Sequence, residues 1–93
     1  MATVLIPAAL RGMTGGQSKI IVEGASVGDV LERLAVLYPG VRALLFDEGG
    51  ALRAHVNIFV NDAEIRQLAG LQTSLADADE VAIIPAMAGG AIH

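Results

Sequence analysis

The stretch GASVGDVLERLAVLYPG, residues 24–40, leaves this chain the fewest architectures. Ser26 is placed to cap a helix, and Asp29, three residues on, answers it as a short form of the capping box. Val27, Val30, Leu31, Leu34, Leu37 and Tyr38 then recur at helical spacing and form one apolar face, which Pro39-Gly40 brings to a stop. A helix with one apolar face must lie on something, and the sequence around it supplies strands.

TVLIPAAL (3–10) and SKIIVEG (18–24) are β-rich, and the turn chemistry of RGMTGGQ between them predicts an N-terminal hairpin. GMTGGQ also resembles an epitope-tag leader, but its place inside the hairpin marks it as part of the domain. After the helix, VRALLFDEGG (41–50) reads as a short helical or irregular connection ending in a loop. HVNIFVND (55–62) predicts a strand with Val56, Ile58 and Val60 on one face and Asn57, Phe59 and Asn61 on the other. Asn61-Asp62 turns the chain into AEIRQL, a short partner strand. After a polar, turn-rich GLQTSLADADE, the run EVAIIPAM (80–87) is continuously apolar and belongs inside the sheet.

An opening hairpin, one main helix and a final strand set beside the first give a two-layer α+β fold of β-grasp type, a mixed sheet packed on one helix. At 93 residues this is one domain, 1–93, with a flexible tail expected at 87–93.

Composition narrows the function. The apolar residues, 54% of the chain, are almost all aliphatic, and Phe46, Phe59 and Tyr38 are the only aromatics, which disfavours base-stacking nucleic-acid modules. A net charge of −4 repels phosphate backbones and anionic membranes, so the expected partner is a protein. The chain lacks cysteine, and with it any thiolate nucleophile or thiolate metal site. No apolar run approaches bilayer length, and MATVLIPAALRG lacks the basic leader of an export signal, so a soluble cytoplasmic protein is expected.

Familiar motifs fail on spacing. GMTGGQSK separates its glycines from Lys19 by Gln17 and Ser18 and leads into a strand, whereas a phosphate loop needs Gly-Lys-Ser/Thr opening a helix. His55 and His93 are isolated, with no metal spacing and no nucleophile beside them. Asp77, Asp79 and Glu80 read as a solvated turn, because calcium loops need more ligands and a glycine at fixed offset.

The Gly89-Gly90 pair, just after the last strand, is the feature that carries chemistry. Without side chains, such a tail can thread a narrow channel in another enzyme. A terminal Gly90 carboxylate would be an unhindered nucleophile toward the α-phosphate of ATP. Adenylation would replace oxide by a good leaving group, and a sulfur donor could then produce a thiocarboxylate.

SLADADEVAIIPAMAGG (74–90), LRGMTGG (10–16) and HVNIFVND (55–62) together resemble the ThiS/MoaD family of ubiquitin-like sulfur carriers, across nearly the whole chain. The long middle, LYPGVRALLFDEGGALRAHVNIFVND, is most similar to the branch that supplies sulfur for cysteine synthesis and related metallophore pathways. The resemblance implies a ubiquitin-like β-grasp fold and a carrier, itself no enzyme, with no bound cofactor. It implies an E1-like adenylating and sulfurylating partner that uses ATP, and a thiocarboxylate on Gly90 with Gly89 keeping the tail slim. Arg11, Phe59 and the segment Pro85, Ala86, Met87 and Ala88 are the implied partner contacts. A pyridoxal-phosphate enzyme of the cysteine synthase type would receive the sulfur.

Two positions depart from the family pattern. Ala78 stands where its members usually carry a turn glycine, and Ala91-Ile92-His93 continue past the glycine pair, where most members end. The extension is removed by a peptidase, for which some relatives use a zinc-dependent JAMM-type metalloprotease, or is an addition to the natural protein, or marks a copy without carrier activity. Processing is the favoured reading. The alternatives are a β-grasp interaction module without terminal chemistry and, within the family, a molybdopterin synthase small subunit or a thiazole-synthesis carrier.

Overall fold

The computed structural model describes residues 1–85. Strands β1 (Ala2–Leu5), β2 (Lys19–Val22), β3 (Val56–Val60), β4 (Ala63–Glu64) and β5 (Glu80–Pro85) form one sheet in the order β2-β1-β5-β3-β4. β1 and β5 run parallel, with Val4 opposite Val81, and the other neighbours are antiparallel. The final strand thus lies beside the first, as expected. Helices α1 (Val27–Leu37) and α2 (Pro39–Leu45) cover one face of this sheet.

α1 begins as its sequence requires: the Asp29 N–H donates to Ser26 Oγ at 3.2 Å. Val27, Val30, Leu31 and Leu34 are buried in one core with Val4, Ile58, Val81 and Ile83 of the sheet, and Ala35 is buried beside them on the helix. Leu37, expected on that face, is exposed, while Leu34 and Ala35 in the same turn are buried and Tyr38 packs on the core, so the buried stripe passes beside Leu37. Pro39 does stop α1, but it also starts α2 at a position where its missing N–H costs nothing. The Arg42 guanidinium of α2 reaches back to both carboxylate oxygens of Glu32, at 2.8 and 3.2 Å, and holds that carboxyl below its ordinary value.

Two element boundaries and the burial of one strand differ from the sequence reading. β1 ends at Leu5, because from Pro7 the chain enters a 3-10 turn, Ala8–Met13; the pairing is a hairpin with a long connection. That connection is closed by Thr14, fully buried with its hydroxyl within reach of the Arg11 and Gln17 carbonyls, and by Gln17 Nε2 donating to Tyr38 Oη at 2.8 Å. In AEIRQL only Ala63 and Glu64 pair, and Ile65–Gln67 coils into a 3-10 turn that buries Ile65. The third difference concerns β5, whose alternate residues Ala82 and Ile84 face away from the helices, Ile84 being 48% exposed.

The turn before β5 places Ala78 at φ 74°, in the left-handed region where a Cβ is strained. Its amide still bonds the Met1 carbonyl, and its side chain is exposed, so glycine there would relieve strain and forfeit no packing. Ala78→Gly is expected to raise stability by about 0.5–1 kcal/mol, after the greater entropy of glycine in the unfolded chain is subtracted. In thermal denaturation this corresponds to a rise in Tm of roughly 3–6 °C, and an unchanged or lower Tm would show that the turn tolerates the Cβ.

Candidate protein-docking face

The helices leave the second face of the sheet uncovered. Strand alternation sends Leu5, Lys19, Ile21, Asn57, Phe59, Ala82 and Ile84 to it. Leu5 lies opposite both Lys19 and Ala82, and Ala82 opposite Phe59, which lies opposite Glu64. One row across the five strands therefore reads Lys19, Leu5, Ala82, Phe59, Glu64: three apolar side chains with a charge at either edge. Ile84, opposite Asn57, extends the apolar strip toward the end of β5, and Ile21, 67% exposed, flanks it on the edge strand. An apolar centre with a charged rim is the composition of a protein-docking surface.

Arg66 fixes one rim. Its guanidinium donates to Asn57 Oδ1 at 3.1 Å and to the Arg53 carbonyl at 3.0 Å, and pairs with Glu64 at 3.4 Å, joining the β3 edge to the 3-10 turn. Arg11 lies at the end of the sheet where β1 finishes and donates its Nε–H to the Ile6 carbonyl at 3.2 Å. Because β5 runs parallel to β1, Pro85 and the start of the tail lie at that same end.

Phe59 is thus at the centre of the uncovered face, Arg11 at the end where the tail leaves, and Pro85 at the tail's root, opposite Val56. Ala86, Met87, Ala88, Gly89, Gly90, Ala91, Ile92 and His93 lie outside the described residues. The sequence reading did not single out Leu5, Ala82, Ile84 or Arg66. The two-residue period of a strand puts Ala82 and Ile84 on one face, but a run that is apolar throughout does not mark which face is left open, and Arg66 is found only through its contacts across the fold.

Asn61 and Asp79 tie the opposite end of the sheet together. The Asn61 amide donates to Asp79 Oδ1 at 3.3 Å, its carbonyl oxygen accepts the Glu80 N–H at 3.2 Å, and Asp79 also accepts the Ala76 N–H. Asp77 is paired with the terminal ammonium at 2.6 Å, which lowers its carboxyl below the ordinary value. The acidic turn is thus occupied by structural bonds. Among the described residues there is no group of three His, Asp or Glu side chains placed to hold a metal ion. His55 is exposed in the turn before β3. No helix among the described residues is long and apolar enough to cross a membrane.

Comparison with known proteins agrees with this geometry. The profile of the ThiS family matches residues 4–90. Sulfur carrier protein CysO of Mycobacterium tuberculosis is 44% identical over 90 residues, covering 95% of this chain and 97% of its own, and its crystal structure superposes with a TM-score of 0.86. The crystal structure of the Amycolatopsis orientalis BexX/CysO complex aligns at a TM-score of 0.88 and 36% identity, over 97% of this chain and all of that one. Small archaeal modifier protein 3 of Haloferax volcanii is 38% identical over 81% of this chain and 84% of its own. The five-stranded mixed sheet with its helical layer is the ubiquitin-like β-grasp of these relatives, and the chain belongs to the ThiS family.

Proposed function

We propose that this protein is a sulfur carrier that works through Gly90. After removal of Ala91-Ile92-His93 by a peptidase of the JAMM metalloprotease type, an E1-like enzyme docks on the uncovered sheet face and adenylates the Gly90 carboxylate with ATP. Sulfide then attacks the carbonyl carbon and AMP leaves with the electron pair of the broken C–O bond, which gives a thiocarboxylate. A pyridoxal-phosphate enzyme of the cysteine synthase type binds the tail and receives the sulfur. The protein supplies a docking surface and an acyl group, while its partners supply the catalysis.

The observation that carries this reading is the near full-length identity to CysO, named a sulfur carrier, on a chain with Gly89-Gly90 just beyond the last strand. The apolar strip of Leu5, Ala82, Phe59 and Ile84 supports it by offering the activating enzyme a place to dock beside the tail. That a CysO of Amycolatopsis forms a complex with BexX supports recognition by a partner protein.

The test is intact mass after incubation with lysate of the native host, ATP and sulfide, beside a Gly90→Ala version. Loss of residues 91–93 followed by a gain equal to replacing one oxygen with sulfur, in the native sequence alone, is the expected result. No change, in a lysate that does activate a chain already ending at Gly90, would overturn the processing step. Failure of both chains to gain sulfur would overturn the carrier reading in favour of an interaction module.

A further inference from the structure

Five of the six basic side chains are arginine, and Lys19 is the only lysine. The difference is chemical: a guanidinium stays protonated and does not attack acyl groups, whereas an amine is an acyl acceptor. Lys19 is therefore the only side-chain amine in the molecule. The terminal ammonium is paired with Asp77, at the end of the sheet away from the tail.

Lys19 stands at the end of the sheet from which the tail leaves. It lies exposed on edge strand β2, on the uncovered face, opposite Leu5, which is opposite Ala82; Pro85 follows three residues later. Two interstrand spacings and three residues of rise separate the Cα atoms of Lys19 and Pro85 by roughly 14 Å. Residues 86–90 can extend up to about 17 Å, and a lysine side chain spans several ångströms more. Gly90 can thus reach the Lys19 amine of its own chain, and so short a tether gives an effective concentration on the order of millimolar.

We propose that Lys19 is an acyl-acceptor site for the chain's own activated C-terminus. The proposal rests on the reading of Gly90 as an activated carboxylate. The neutral Nζ attacks the Gly90 carbonyl carbon and a C–N bond forms. The bond from that carbon to the AMP oxygen, or to the sulfur of a thioester, breaks, and AMP or thiol leaves with the electron pair. One proton passes to water. The product is an isopeptide loop from residue 19 to residue 90, which sulfide can no longer attack, so capture by Lys19 competes with sulfur loading whenever the sulfur donor is scarce.

A chemically activated probe tests this without any partner enzyme: the chain ending at Gly90, prepared as its C-terminal thioester and incubated alone at micromolar concentration in mildly alkaline buffer. All described elements lie within residues 1–85, so the probe retains the fold. Monomeric loss of the thiol, with a Lys19–Gly90 linkage in the fragment spectrum, is the expected result, at a rate at least about tenfold above that of Lys19→Arg. Adding Arg33→Lys to Lys19→Arg moves the amine onto α1 and is expected not to restore the reaction. Hydrolysis alone, linkage at the terminal amine, or full activity in the double variant would each overturn the proposal. Because activation is supplied chemically, these outcomes are independent of whether an enzyme adenylates Gly90, which the sulfur-gain measurement decides.

Discussion

Ala82→Asp is expected to weaken docking of the activating enzyme by about 100-fold or more while leaving the protein folded. Ala82 lies at the middle of the apolar row, between Leu5 and Phe59, with its side chain on the uncovered face. In the unbound protein an aspartate there is solvated, so the cost to stability is confined to the lower strand propensity, about 1 kcal/mol or less. On docking, its carboxylate would be stripped of water beneath an apolar partner surface with no cation opposite, and a penalty of about 3 kcal/mol is ordinary for such a group. Binding of the E1-like enzyme by calorimetry, with ATP–pyrophosphate exchange alongside, measures the loss. Val36→Asp is the matched control, since Val36 is 71% exposed on the outside of α1, where the same charge is expected to change binding by less than about twofold. Equal binding by Ala82→Asp and wild type would mean that the partner uses another surface.

Local rules made much of this fold legible. The Ser26 cap and the spacing from Val27 to Leu34 define α1 because caps and a 3.6-residue period are written in adjacent residues. The alternation of Val56, Ile58 and Val60 defines β3 in the same way. Legibility stopped where the deciding partner is distant. The β-rich run after Leu5 leaves the sheet for a 3-10 turn, and the loop that follows is tied through Gln17 to Tyr38, far along the chain at the junction of α1 and α2. The apolar run of β5 reads as buried on both faces, yet the helical layer covers only one. Gly28 looks like a weak point in a helix, but a Cβ there would stand 3.1 Å from the Leu71 carbonyl oxygen, so the residue admits the 3-10 turn Gly70–Gln72 against α1. Of the candidate site, Phe59 and Arg11 were found by resemblance, and their surroundings emerged only when register brought Leu5, Ala82 and Phe59 into line. The role of Gly89 and Gly90 rests on sequence and kinship.

Ile83→Ala is expected to have the opposite effect to Ala82→Asp, although the two residues are neighbours. Ile83 is 2% exposed and points from β5 into the core shared with Leu31, Leu34 and Ile58. Truncating a buried isoleucine removes apolar burial and leaves a cavity that the surrounding strands cannot fully close, at a cost of about 2–5 kcal/mol, a large share of what a domain of this size possesses. The urea midpoint should fall by roughly 2 M. The main-chain bonds of β5 to β1 and β3 do not involve the side chain, so the row of Leu5, Ala82 and Phe59 keeps its register in the molecules that remain folded. Partner affinity, corrected for the folded fraction, should then remain within about twofold of wild type. A midpoint unchanged by Ile83→Ala would mean that the core does not close on this strand. A large loss of affinity in the folded fraction would mean that the two faces of β5 are coupled, and that the docking surface depends on the packing beneath it and not on its outward side chains alone.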